Sequence, residues 1–310
     1  MRKSIKRLVA LTTAIALCFS GVTVYKTQKV EAASKAKVYV DGTLNYRISQ
    51  EMLKLVNKAR KKRGKRALKM DKGLTKAAAT RAVELSIYVS EKHKRPNGKD
   101  RASLNHRIAW ENTCEGINTA YYYSGMSKKK FAKKLAKETF DSLMSSPHHK
   151  EGILKANFKS IGIGAFIGNS GGDIYVAQEF SSSRAKKKFK SSKVKKVVKK
   201  VSTKTKYLAK KYTKVDGIDD FVITKRVGVG KKIKAYVVHK NPYDKQLKTH
   251  LHNKTFKFKS SNKKIATVNS KGVIKGIKPG TVTITMRVKK CSKIKYTLKI
   301  KVLKDAPDNY

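Results

Sequence analysis

Three residues far apart in the chain have the types and local settings that could do chemistry: His93, Glu115 and His149. His93 opens His93-Lys-Arg-Pro-Asn-Gly98, where Pro96 pushes Arg95 out of the helical region and Asn97-Gly98 is a turn signal. Glu115 lies in Cys-Glu-Gly-Ile-Asn (114–118), and His149 follows Pro147 in Ser-Ser-Pro-His-His-Lys (145–150). Each falls at a helix end or in a loop. If those loops converge, two neutral imidazoles and a carboxylate form a three-ligand set for Zn²⁺, or another divalent cation such as Ca²⁺, with water in the open position. Without a metal the trio suits acid/base work, Glu115 being the base. The plainer alternative is that the three side chains stabilise loops or face solvent. Cys114 reads as a buried thiol and not as a nucleophile. The chain contains no HExxH, CxxC pair or glycine-rich phosphate loop, so the enzymes those motifs mark are not expected.

The elements that must position these residues follow from periodicity. A helix is predicted over about Ser49 to Lys62, with Met52, Leu55, Val56 and Ala59 on one face. A second runs from Gly73 to Lys92, its alanines at 77–79 suited to close packing against a sheet. A third runs from Ser127 to Met144, with one more helical turn over Pro147 to Leu154. Ile161 to Ile167 and Ile174 to Phe180 read as a hairpin. Residues 99–126, including three consecutive tyrosines at 121–123, read as irregular. Helices with a segregated antiparallel hairpin indicate an α+β domain.

Charge and address come next. Lys and Arg number 75 against 20 Asp and Glu, a net charge of +55. Residues 1–32 have a basic start, an apolar stretch from Leu8 to Val24, and small residues at Val30 and Ala32, the pattern of a cleaved secretory signal. An uncleaved anchor is the other reading. Cleavage removes six basic residues and one acidic residue, leaving +50 of the +55. An exported chain this basic points to anionic cell-wall polymers or anionic lipid surfaces as partners. Nucleic acid is not expected as the physiological partner, because no base-reading module is visible. Localisation is expected to be extracellular or at the cell wall. After cleavage only Cys114 and Cys291 remain, too few for a disulfide framework.

Residues 33–46 read as a leader with one strand-like piece and 183–216 as a lysine-rich linker. Lys186, Lys187, Lys188, Lys195, Lys196, Lys199 and Lys200 are its envelope-binding candidates. The spacing of Val194, Val197, Val198 and Val201 also allows a basic amphipathic helix lying on an anionic surface. From 217 to 304 the period becomes two, as in Thr281 to Val288 and Tyr296 to Val302, with turn signals at 269–272 and 278–280. That is the pattern of a small β-sandwich, followed by a tail at 305–310.

Over residues 47–182 the chain resembles the CAP superfamily (cysteine-rich secretory, SCP/PR-1-like proteins) in its bacterial form. The resemblance is carried by MLKLVNKARKKRG, HKRPNG, CEGINTA, SPHHKEGILKANFKSIGIG and YVAQEF. It implies an α-β-α sandwich with a His/Glu-lined cleft, with His93, Glu115 and His149 at the matching places and His93 and His149 as the metal-side pair. In this alignment Cys114 and Gly116 replace the family's usual Gly and Asn around the glutamate, and His148 stands where Gly is usual. Glu138 is the only counterpart offered for a second cleft glutamate, and Leu143 replaces a common tryptophan. Residues 217–304 resemble a bacterial Ig-like domain of group 2, through SSNKKIATVNSKGVIKGIKPGTVTIT. The expectation is an exported protein held at the envelope by its charge and Ig-like module, the cleft taking a small apolar or peptide-like ligand. The alternatives are a metal-assisted or acid/base hydrolase of wall or protein substrates, and a structural adhesin with a vestigial cleft.

Overall fold

The computed structural model describes residues 35–119, 125–169, 172–219, 222–291 and 293–304. The expected signal segment, the three tyrosines at 121–123 and the 305–310 tail lie outside these residues. The described residues form one compact unit built of two modules.

The first module is a sheet between helices. Its strands are β1 (Lys35–Asn45), β2 (Lys69–Met70), β3 (Trp110–Asn118), β4 (Ser160–Gly168), β5 (Asp173–Ser181) and β6 (Val194–Lys204). They run in the order β3-β5-β4-β1-β6, with β2 beside β4. The helices are α1 (Tyr46–Lys61), α2 (Lys72–Leu85), α3 (Lys128–Ser145) and α4 (Pro147–Leu154). Asn45 caps α1, Asp71 caps α2 and Ser127 caps α3, each side chain accepting from a first-turn N–H. A helix can sit against β4 because Gly162 and Gly164 present no side chains. A Cβ at either would lie 2.1 or 2.4 Å from the backbone of Leu74 or Ala78 on α2.

Four sequence expectations are corrected here. The second helix stops at Leu85, not Lys92, and its last carbonyl, Leu85 O, is taken up by Asn241 of the second module. The irregular stretch contains strand β3, paired along its length with β5. The strand-like piece of the leader is β1, and it is no appendage but an inner strand, flanked by β4 on one side and β6 on the other. The lysine-rich segment is neither a loose linker nor an amphipathic helix. Its Val194–Lys204 stretch pairs antiparallel with β1 over eleven positions, from Asn45↔Val194 to Lys35↔Lys204. Upstream of that strand the backbone is also fixed: Lys186 N donates to Asp71 Oδ2, Lys72 N to Lys187 O and Phe189 N to Met70 O. Backbone pairing offers this segment a full ladder on an open sheet edge, and its β-branched valines suit a strand better than a helix.

The second module contains β7 (Thr213–Asp219), β8 (Val222–Thr224), β9 (Arg226–Gly228), β10 (Lys232–Lys240), β11 (Lys248–His250), β12 (Phe256–Ser260), β13 (Ala266–Val268), β14 (Val273–Gly276), β15 (Gly280–Val288) and β16 (Lys295–Leu303). They form two sheets, β13-β14-β10-β7-β8 with β11 beside β10, and β12-β15-β16-β9. Val282, Ile284, Met286 and Val288 point inward and meet Tyr296, Leu298, Ile300 and Val302, as the period of two requires.

The modules share one apolar core. Val38, Val40, Leu85, Ile87 and Val89 of the first join Val237, Leu247 and Leu251 of the second in a single cluster. His239 Nε2 bonds Ile87 O at 2.9 Å, and Asn241 Nδ2 donates to Leu85 O at 2.9 Å. The last carbonyl of α2 and that of Ile87 just beyond it are thus satisfied from the neighbouring module.

Candidate functional site

The site is assembled at the β3 edge of the first sheet. The end of α2 leads into residues 86–98, and the loop is held by Arg95, whose guanidinium embraces the Glu84 carboxylate at 2.6–3.2 Å. His93 has φ of +51°, in the left-handed region that a residue with a Cβ rarely occupies. It is kept there by its N–H donating to Ser90 O and by its ring bonding to a carboxylate. Such backbone strain persists only when its surroundings over-determine it.

That carboxylate belongs to Glu111, not Glu115. His93 Nδ1 lies 2.7 Å from Glu111 Oε1, and Arg81 Nε, from α2, donates to Glu111 Oε2 at 3.0 Å. Arg81 and Glu111 have no side-chain exposure. Burial pushes the Glu111 carboxyl up, but the His93 hydrogen bond, the Arg81 charge and a hydrogen bond from Glu179 outweigh it and hold Glu111 below the usual range. Glu179 stands directly opposite on β5 and is fully buried. Burial first, then the negative charge of Glu111, drive its pKa well up. Glu179 is therefore the protonated member, donating its O–H to ionised Glu111. The second carboxyl comes from a strand, and Glu138 on α3 does not supply it.

The other wall of the site comes from α4. Asn112 Nδ2 donates to His149 O at 2.9 Å and to Gln178 Oε1 at 3.3 Å, while Trp110 Nε1 donates to Asn112 Oδ1 at 2.9 Å. The His148 ring lies 4.6 Å from Trp110, 5.9 Å from His149 and 6.4 Å from His93. Gly152 makes room for the indole, since a Cβ there would stand 2.3 Å from Trp110 Nε1. Burial, then the neighbouring charges of His148 and His93, lowers the His149 pKa and favours neutral imidazole.

The structure therefore brings His93, His148 and His149 to one edge with Trp110 and Glu111. Glu115 points to the same sheet face as Glu111, two strand repeats further on. Its pKa is raised, first by burial, with opposing contributions from Arg81 and Asp244. Among the described residues, no three His, Cys, Asp or Glu side chains are grouped to hold a metal ion. His93, Glu115 and His149 are not among any such group, and the carboxylate that meets His93 is that of Glu111. The Trp110-Glu111-Asn112 triplet was the overlooked signal: Glu111 is followed by Asn112, whereas Cys114-Glu115-Gly116 has no such asparagine. Cys114 is a buried free thiol with its pKa pushed up to about 11 by burial, so it is no nucleophile.

A family model, Cysteine-rich secretory protein family (CAP), matches residues 53–180, over the helices and strands that carry this site. Residues 53–180 are a CAP domain. A second model, bacterial Ig-like domain (group 2), matches residues 242–298 in the second module. Solved structures similar to the chain include an outer surface protein from Borrelia burgdorferi, at 16% identity and a TM-score of 0.35, with 46% of this chain and 98% of that one covered. An extracellular protein containing an SCP domain from Bacillus anthracis is similar at 14% identity, a TM-score of 0.30, and 42% and 39% coverage. A cysteine-rich secretory protein from Staphylococcus aureus follows at 16% identity, a TM-score of 0.29, and 45% and 40% coverage. The chain thus spans about two fifths of the length of the last two. No curated protein matches the sequence. The CAP domain here extends beyond its matched residues, because β1 and β6 complete its sheet from outside 53–180.

Proposed function

We propose that this is an exported protein held at the anionic cell envelope by its positive charge, with the edge site of the CAP domain binding a peptide-like ligand. The observation that carries the reading is the lysine array of 186–200. Its backbone is locked to the CAP sheet, while Lys186, Lys187, Lys188, Lys195, Lys196, Lys199 and Lys200 are all exposed. Exposed ammonium groups carried on a fixed backbone attract a polyanion without needing its sequence or shape. At the edge site, an indole and three imidazoles offer flat faces and hydrogen-bonding nitrogens to a small polar chain. Among the described residues, no helix is long and apolar enough to cross a membrane.

The second reading, an acid/base hydrolase, is favoured by one feature. Ionised Glu111 holds His93 through Nδ1, which leaves Nε2 to take a proton from a substrate or water.

One experiment separates them. The chain is pelleted with purified Gram-positive cell wall at low and high salt, and the supernatant is assayed for released fragments. Binding is expected to fall steeply with salt and to be lost on replacing Lys195, Lys196, Lys199 and Lys200 by Glu. Salt-independent pelleting would remove the electrostatic reading. Fragment release that His93→Ala abolishes would establish the hydrolase instead.

A further inference from the structure

A cavity of about 330 Å³ lies on the face of the CAP sheet that carries α2, away from the histidines. It exists because β6 widens the sheet. Helix α2 is seated over β4, where Gly162 and Gly164 admit it, and β1 and β6 lie beyond its flank. The space between is lined by Leu44 and Val201 on the strands, Ala79 and Val83 on the helix, and Tyr46 with Phe189. The last two rings meet edge to face at 5.0 Å. Buried apolar walls left unfilled are a cost in a packed interior unless a ligand fills them.

The polar lining has one sign. Lys72, Lys76, Lys199 and Lys200 also line the cavity, and all four are exposed. Glu84 is the acid among the lining residues, and its carboxylate is neutralised by Arg95. We infer that this cavity binds a single-chain anionic amphiphile, its alkyl chain between α2 and β1–β6 and its phosphate or carboxylate head among Lys72, Lys76 and Lys199, which stands on the same sheet face as Val201. An apolar chain alone would find the walls but not use the rim, and a free anion would find the rim but not the walls. Only a molecule with both parts matches what is present. The inference stands apart from the reading of the histidine edge and shares Lys199 with that of wall retention, which is why the deciding variant, Ala79→Trp, leaves that lysine in place.

The test is calorimetric titration of the full mature chain with dodecyl phosphate below its micelle concentration, with dodecanol as the headless control. One saturable site is expected, with dodecanol weaker by roughly tenfold or more, since the lysine rim then has no anion to meet. Ala79→Trp, which fills the cavity, is expected to weaken dodecyl phosphate by at least roughly tenfold. If that variant fails to fold, Thr80→Trp is used, because Thr80 also lines the cavity and is an exposed helical position. Lys76→Glu with Lys199→Glu is expected to weaken binding and flatten its salt dependence. Unchanged affinity in a folded tryptophan variant, or equal binding of dodecanol, overturns the proposal. Vesicles of anionic phospholipid identify the source. Vesicle binding lost in the tryptophan variant assigns the site to bilayer lipid, and vesicle binding kept while dodecyl phosphate is lost assigns it to free amphiphiles. Pelleting with cell wall is expected to survive Ala79→Trp, so the two readings fail separately.

Discussion

Glu111 and Glu179 face each other as a directly paired couple across β3 and β5, both closed to solvent, and they carry different charges. Glu111 is ionised because His93 and Arg81 bond its two oxygens, while Glu179 keeps its proton and gives Glu111 a third hydrogen bond. Two adjacent buried carboxylates cannot both ionise beside one guanidinium without a large repulsion. The pair is therefore one negative charge matched to the Arg81 cation.

Isosteric substitution separates the two roles. Glu111→Gln leaves the Arg81 guanidinium buried without its counter-ion and is expected to cost about 3–5 kcal/mol. Glu179→Gln replaces a neutral acid by a neutral amide whose N–H also reaches Glu111, and is expected to cost no more than about 1 kcal/mol. Urea unfolding of the two variants measures the difference. Equal costs would mean that the proton is not on Glu179.

Gly152 sets the position of the only tryptophan in the chain. Gly152→Ala is expected to push Trp110 off α4, at a cost of about 1–3 kcal/mol for overpacking. The indole then loses its bond to Asn112, and its fluorescence emission is expected to move to longer wavelength. An emission maximum that stays in place would show that the ring does not rest against this helix.

His239 makes the docking of the modules sensitive to acid. It is fully buried, and desolvation lowers its pKa from 6.5 to about 4, against a smaller opposing pull from the Ile87 carbonyl. Between those values the unfolded chain binds a proton that the folded chain refuses, so stability falls as pH drops from 6.5 to 4. The loss is on the order of 3 kcal/mol for a group so deeply placed. His149, His250 and His252 are lowered too and act in the same direction. The measurement is therefore a comparison of melting curves against pH for the native chain and His239→Gln, which keeps an N–H for Ile87 O. The variant is expected to show the shallower loss, and parallel curves would mean that His239 is not held neutral.

Much of this architecture was legible in local patterns. The apolar stripes of α1 and α3, the Ile/Gly strand β4 and the alternation of β15 and β16 are set by side chains only a few residues apart, where the period of the backbone decides which face is buried. Those patterns also carried the CAP and Ig-like resemblances that the family models match. His93 and His149 were legible for a similar reason, since each stands beside a proline at an element boundary, His93 in the loop before Pro96 and His149 in the first turn of α4 after Pro147.

The choice of glutamate was not. Glu111 and Glu115 lie four residues apart on one strand and so point to the same face, about 13 Å apart along the sheet. Periodicity treats them alike, and only the place where the α2–β3 connection lays His93 against the strand picks Glu111. The lysine-rich segment shows the same limit. Its valines have helical spacing, yet β1 offers an edge of unpaired N–H and C=O groups, and eleven residues of backbone ladder outweigh the side-chain pattern. The sequence by itself determined the two modules, the faces of their elements and the charge they carry, because those depend on neighbours along the chain. The tertiary structure alone decided which carboxylate meets the histidine and where the lysines are held, because those contacts join residues whose separation in sequence says nothing about their distance in space.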